Sequence, residues 1–217
     1  MMRQHRGWKH DTWLEQIGDH ASFEIERSVL NDNTVAFVDA MKQNSTLESL
    51  TIISRDFSEM KGTISSAIAA VLSVNSALTV LSLEYTGVRV TGAVQISKSL
   101  KINASLTSLN LCMNLIGQEG AIAITDALKF NASLTSLNLS HNSIRKEGAM
   151  AMADALKVNT TLTSLNLSGN SIQKEGAMAI ADALKFNSSL TSLNLSSNSI
   201  QQKGALEIAD ALKVNSS

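Results

Sequence analysis

The sequence predicts an α/β leucine-paced solenoid, a right-handed horseshoe of about seven repeats with parallel strands on its concave face and helices on its convex face. Three observations predict it. The stretch Ser133 to Thr160, SLTSLNLSHNSIRKEGAMAMADALKVNT, recurs nearly letter for letter from Thr161 and again from Ser189. Leu106, Leu134, Leu162 and Leu190 open successive copies, so the period is 134 − 106 = 28. Each copy also changes hydrophobic period halfway, from two residues to about three and a half, as a strand followed by a helix requires.

In the strand half, Leu137 and Leu139 are two apart and share a face, so Asn138 between them faces the other way. In the helical half, Ala149, Met152, Ala153 and Leu156 follow i, i+3, i+4, i+7 and form one apolar side, with Asp154 and Lys157 opposite. One strand and one helix of this length cannot enclose a core. They gain stability by stacking on copies of themselves, which makes the chain a solenoid. Asn114, Asn142, Asn170 and Asn198 stand where the chain leaves each strand and turns inward. Stacked amides there can satisfy backbone groups that no sheet partner reaches, so these asparagines are expected to be structural. Gly120, Gly148 and Gly176 are expected to be framework as well, suiting a tight turn into the helix.

The unit L-x-x-L-x-L-x-x-N-x-I-x-x-x-G-A-x-x-[IM]-A-D-A-L resembles the leucine-rich repeat, and its long helical half resembles the ribonuclease-inhibitor subtype. It is also similar to the C-terminal repeats of NOD-like receptors and to the repeat domain of the Ran GTPase-activating protein. The match is specific over about residues 78–217 and weaker upstream. The resemblance implies a leucine-rich-repeat solenoid, an intracellular setting and protein partners.

Along the chain, residues 1–20 lie outside the repeat and are expected to form a flank or cap. Thr12 and Glu15 could make a capping box for a short helix with Trp13, Leu14 and Ile17 on its apolar side. His5, His10 and Asp11 match no metal-ligand spacing, and a solvated flank is the expected reading. The array occupies 21–217, with degenerate units over 21–77 and regular units over 78–217. Phe23 and Ile25 read as strand positions, and Val35 to Asn44 as a helical half. Leu47, Leu50 and Ile52 begin the next unit, but 78 − 47 = 31, so three additional residues are expected within Arg55–Gly62, at a strand-to-helix loop. The unit from Leu78 carries Thr86 in place of the asparagine. Phe130, Val158, Phe186 and Val214 alternate at one position, which points to duplication of a two-unit block.

Composition excludes several functions. With 18 Lys and Arg against 19 Asp and Glu, the net charge is −1, which offers neither a nucleic-acid footprint nor attraction to an acidic membrane. Cys112 is the lone cysteine, so no internal disulfide or cysteine metal cluster can form; at the position of Ser140, Ser168 and Ser196 it is expected to face solvent, which favours a reducing compartment. The N-terminus has basic residues with no apolar run after them, so no secretory signal is expected and the cytoplasm is the expected location. Nine N-x-[ST] sequons, at Asn44, Asn103, Asn131, Asn138, Asn159, Asn166, Asn187, Asn194 and Asn215, then read as by-products of an Asn- and Ser-rich repeat.

Catalytic groups would converge on the solvent-facing strand positions, which hold Ser136, Asn138 and Ser140 and their counterparts. No base stands beside these serines, and no phosphate-binding loop or zinc motif occurs, so neither catalysis nor a cofactor is expected. The Asp126, Asp154, Asp182 and Asp210 row, three residues before Lys129, Lys157, Lys185 and Lys213, reads as a solvated convex face. The uniform pattern departs on the edge where strands run into helices: Glu84, Tyr85 and Arg89, then Met113, then His141 and Arg145. Later units hold Gly169, Gln173, Ser197 and Gln201 at the last of these positions. Tyr, Arg and Met are enriched at interfaces, so this set is the candidate protein-binding site. The expected function is a non-enzymatic protein-interaction scaffold. The alternatives are a GTPase regulator resembling the Ran GTPase-activating protein, or a fragment of a NOD-like receptor or larger scaffold. The last unit shows no polar cap in sequence, so self-association through the C-terminal end is also expected.

Overall fold

The structure, a computed structural model, describes residues 15–17, 21–54 and 62–215. Among residues 21–54 and 62–215, seven strands alternate with seven helices: β1 (Ser22–Glu26), α1 (Arg27–Gln43), β2 (Ser49–Ile53), α2 (Gly62–Leu72), β3 (Val80–Ser82), α3 (Arg89–Leu100), β4 (Ser108–Asn110), α4 (Gly117–Leu128), β5 (Ser136–Asn138), α5 (Arg145–Leu156), β6 (Ser164–Asn166), α6 (Gln173–Leu184), β7 (Ser192–Asn194) and α7 (Gln201–Val214). The strands form one parallel sheet in sequence order, and each pairs only with its chain neighbours.

The register shows the units directly. Leu81 pairs with Leu109, Leu109 with Leu137, Leu137 with Leu165 and Leu165 with Leu193, each a step of 28. Phe23 pairs with Leu50, a step of 27, and Leu50 with Leu81, a step of 31. The longer step falls between β2 and β3. The loop expected to hold its additional residues lies outside the described residues, apart from Gly62 at the start of α2.

Because the steps carry no stagger, equivalent positions form rows along the solenoid. Strands stand about 4.8 Å apart whereas helices pack at about 8–10 Å, so the array must curve with its strands inside. The rows of Leu109, Leu111, Ile116, Ala121, Ile124 and Leu128, and their counterparts, are buried between the layers in one continuous core. Ile17, in a helical stretch at 15–17, is fully buried and joins that core; Thr12, Trp13, Leu14, His5, His10 and Asp11 lie outside the described residues.

The helical glycines are framework for a reason other than the expected turn. Gly148 lies inside α5 with no left-handed backbone, and a β-carbon there would meet Ile144 Cγ2 at 2.5 Å and Ala121 Cβ at 3.2 Å. Gly120 faces Ile116 and Ala93 in the same way, and Gly176 faces Ile172 and Ala149. The missing side chain lets consecutive helices approach, and it leaves room for the isoleucine just before each helix.

Candidate functional site

Two rows of asparagine set the loops on either side of the sheet. Asn142 donates from Nδ2 to the carbonyls of Leu111 in the preceding unit (2.8 Å) and of Leu139 and Ser140 in its own (both 3.0 Å). Its Oδ1 accepts from the backbone of Asn114 (2.9 Å) and Ile116 (3.3 Å). Asn114, Asn170 and Asn198 also reach back one unit, to Leu83, Leu139 and Leu167. All four side chains are buried. Thr86 holds the same place with a shorter side chain: its hydroxyl donates to Leu83 O at 2.7 Å, and the guanidinium of buried Arg27 donates to Thr86 O at 2.8 Å.

The second row, Asn75, Asn103, Asn131, Asn159, Asn187 and Asn215, lies in the helix-to-strand loops, and sequence reasoning missed its role. Asn131 Nδ2 donates to Leu100 O and Asn103 O, and its Oδ1 accepts from the backbone of Ser133 and Leu134. Four of the nine sequons, at Asn103, Asn131, Asn159 and Asn187, are therefore buried structural amides. The signal available in the sequence was the recurrence, once per unit, of an asparagine three positions before each opening leucine.

In the units from β3 onward, between the end of the strand and the start of its helix, the backbone enters the left-handed region three times at alternate residues. Tyr85, Gly87 and Arg89 do so in one unit, Met113, Leu115 and Gly117 in the next, then His141, Ser143 and Arg145. The first and third residues of each set turn their N–H groups to the following unit. Tyr85 N donates to Cys112 O, Met113 N to Ser140 O and His141 N to Ser168 O, all at 2.8–3.0 Å; Arg89 N and Arg145 N donate to Asn114 O and Asn170 O. The sheet ladder thus continues through the turn, and it fixes Tyr85, Met113 and His141 side by side, one per unit.

That edge carries the six residues singled out by sequence. Glu84, Met113, His141 and Arg145 are exposed, and Tyr85 and Arg89 are half-buried. Glu84 occupies the position of Cys112, Ser140 and Ser168, all of them buried. The longer side chain instead leans over the concave face, where Asn110 Nδ2 donates to Glu84 Oε2 at 3.1 Å. Cys112 is consequently not the solvent-facing residue expected from alternation: the strand ends at Asn110, whose Oδ1 accepts from Cys112 N at 3.0 Å and turns the chain inward. Burial pushes the thiol pKa up, the hydrogen bond from Ser140 opposes this, and the Glu84 charge adds to the rise.

The lysine row on the convex side is paired, with Lys129–Asp126, Lys157–Asp154, Lys185–Asp182 and Lys213–Asp210 at 2.7–3.4 Å. Among the described residues no cluster of His, Cys, Asp and Glu could hold a metal ion, and no helix is long and apolar enough to cross a membrane. The outer face of the last unit is an apolar depression of about 440 Å³ lined by Leu193, Leu195, Ile200, Ile208 and Leu212.

Comparison with known proteins places this architecture. A leucine-rich-repeat family model matches residues 103–124, 130–153, 158–181 and 186–209. No curated protein matches the chain. Among solved structures, leiomodin-1 actin-binding site 2 aligns at 29% identity over 57% of this chain and 71% of its own, with a TM-score of 0.51. The leucine-rich repeat-containing protein LegL7 from Legionella pneumophila aligns at 20% identity over 97% of this chain and 78% of its own, with a TM-score of 0.52. Repeats, register and structural likeness agree: the chain is a leucine-rich-repeat protein.

Proposed function

We propose that the chain is a cytoplasmic, non-enzymatic scaffold of the ribonuclease-inhibitor-like subtype, with residues 21–217 as one array, and that it binds a protein partner through the strand-to-helix edge. The observation that carries the reading is the row Tyr85, Met113, His141, held in adjacent units by main-chain hydrogen bonds, with Glu84, Arg89 and Arg145 beside it. A row of aromatic, thioether and basic side chains carried on a main chain fixed by hydrogen bonds, on a background of Ser and Asn, suits an interface anchor, since little backbone freedom is lost on binding. The 12-residue helices of the regular units support the subtype.

The experiment is capture of partners from native extract by the wild type and by the combined variant Tyr85→Ser, Met113→Ser, His141→Ser, Arg145→Gln. Ser197 and Gln173 already occupy the same left-handed backbone, so the variant keeps the fold. It is expected to lose the partner, each anchor contributing about 1–2 kcal/mol. Capture that survives all four changes refutes the surface.

A second reading is favoured by one likeness: the leiomodin-1 segment matched at 29% identity is an actin-binding site. Actin is therefore the first purified partner to test, by co-sedimentation with filaments and by a polymerisation assay. The GTPase-regulator reading rests on framework resemblance alone, and stimulated GTP hydrolysis by a small GTPase would be needed to revive it.

A further inference from the structure

The opposite edge of the solenoid, where helices run back into strands, carries a second row that the proposed function does not use. Val74, Ile102, Phe130, Val158, Phe186 and Val214 recur once per unit and are 58 to 76% exposed. One such residue would be ordinary. Six at one position of an unstaggered array form a continuous apolar stripe, and patches of a few hundred Å² on a soluble protein mark interaction surfaces. Lys101 lies with its Nζ 5.5 Å from the centre of the Phe130 ring, which joins neighbouring units along the stripe. Between Val74 and Ile102 the edge dips into a groove of about 430 Å³, also lined by Leu72, Asn75 and Asn103.

We propose that this edge is where two copies of the chain associate, stacked edge to edge with their stripes antiparallel. Three features point to a second copy rather than to another occupant. Equivalent positions of an unstaggered array share one side of the solenoid, so the edge is level and a second edge can lie along its whole length. The order Val, Ile, Phe, Val, Phe, Val is self-complementary when reversed: with the two-fold axis between the units of Phe130 and Val158, Val74 meets Val214, Ile102 meets Phe186, and Phe130 meets Val158. Each ring then faces an aliphatic side chain, and Phe186 stands over the groove beside Ile102. Finally, three lysines next to the stripe carry their own carboxylates, Lys129 with Asp126, Lys157 with Asp154 and Lys185 with Asp182, whereas in the Ile102 unit Lys98 stands in place of the aspartate beside Lys101; reversal sets that unit against the Lys185–Asp182 pair and not against its own copy, which keeps the two cationic units apart. Six side chains with neighbouring lysine stems are fewer than the roughly 20–30 residues a side of a standard interface, so the dimer is weak and concentration-dependent.

Sedimentation velocity of the whole chain, from low micromolar to several hundred micromolar, should show a monomer–dimer equilibrium. The double variant Phe130→Ser with Phe186→Ser removes only exposed rings, and with an unchanged circular dichroism spectrum it should weaken the dimer at least tenfold. In a Cys112→Ser background, a mixture of Ile102→Cys and Phe186→Cys chains should cross-link on mild oxidation, whereas Ile102→Cys alone should not. Four results would overturn the proposal: a monomer at all concentrations, an oligomer indifferent to the phenylalanine changes but lost with Ile208→Lys and Leu212→Lys on the C-terminal face, cross-linking of Ile102→Cys to itself, or a wild-type monomer that binds phosphatidylserine vesicles through the same rings. Because these variants leave the Tyr85–Met113–His141 row untouched, failure here is distinguishable from failure of partner capture.

Discussion

The imidazole of His141 fills the space into which a β-carbon on Gly169, one unit further along, would project. Gly169 is left-handed, with φ +67°, as are its counterparts Tyr85, Met113, His141 and Ser197. The glycine is needed here for the neighbour's ring as much as for its own backbone. Gly169→Ala should destabilise the protein by about 1–2 kcal/mol, the left-handed cost of a side chain plus the displaced ring. In a His141→Ser background the penalty should shrink to the backbone part. Urea melts of the four proteins in the cycle measure it, and equal penalties in both backgrounds would show that the ring is irrelevant.

Asn142→Ala strands Leu111 O and the N–H groups of Asn114 and Ile116 in a buried turn, while Leu139 O and Ser140 O keep donors in Asn170 Nδ2 and Met113 N. A loss of about 2–4 kcal/mol is expected. Asn131→Ala should cost a similar amount, whereas Asn138→Ala, which loses two part-buried bonds from Ser140 N and Oγ, should cost about 1 kcal/mol. Unfolding midpoints that rank Asn138 with Asn142 would contradict this account of the two buried rows.

Leu137 is fully packed between the layers and pairs with the same row in both neighbouring units. Leu137→Ala should cost about 2–5 kcal/mol through the cavity it leaves. The same substitution at Leu193, only partly buried in the last unit, should cost clearly less. Thermal or urea melts of the pair test whether stacking on both sides sets the value.

Alanine normally stabilises a helix relative to glycine by about 1 kcal/mol. At Gly148 the sign should reverse, because the added methyl group would press on Ile144 and on Ala121 of the preceding helix. A lower melting temperature for Gly148→Ala is the expected result, and a higher one would mean that α4 and α5 have room to separate.

Burial raises the Cys112 pKa, so the reactive thiolate is scarce at neutral pH. Alkylation by iodoacetamide should be slow in the native protein and fast in urea. Raising the pH should speed the native reaction, since deprotonation then supplies thiolate. Cys112→Ser, which copies the next three units, should change stability little. Rapid labelling of the folded protein at neutral pH would place the thiol at the surface after all.

The fold was legible because a repeat states its own rule several times. The step of 28, the change from Leu137 and Leu139 to Ala149, Met152, Ala153 and Leu156, and the longer step between Leu50 and Leu81 each mark a boundary that the sheet register reproduces. Periodicity is a local property, and stacking of identical units turns local pattern into architecture without long-range choices.

What the sequence by itself determined is therefore the alternation of strand and helix, the layer in which each leucine lies, and the positions at which one unit differs from the next. Tertiary structure alone decided how those positions face. Alternation implied an exposed Cys112, yet the chain turns inward at Asn110 and buries it while the equivalent Glu84 leans outward. The Asn131 row resembled incidental sequons until its amides were seen to close the helix-to-strand loops. Gly148 is needed because of Ile144 in its own unit and Ala121 in the preceding one, and Gly169 because of His141 in the preceding unit. The physical reason is that local turns such as the one at Asn110 are set by side-chain hydrogen bonds that alternation does not show, while burial, close approach and hydrogen bonding across units depend on what stands beside a residue in the adjoining repeat, a neighbour in space that is a whole repeat away along the chain.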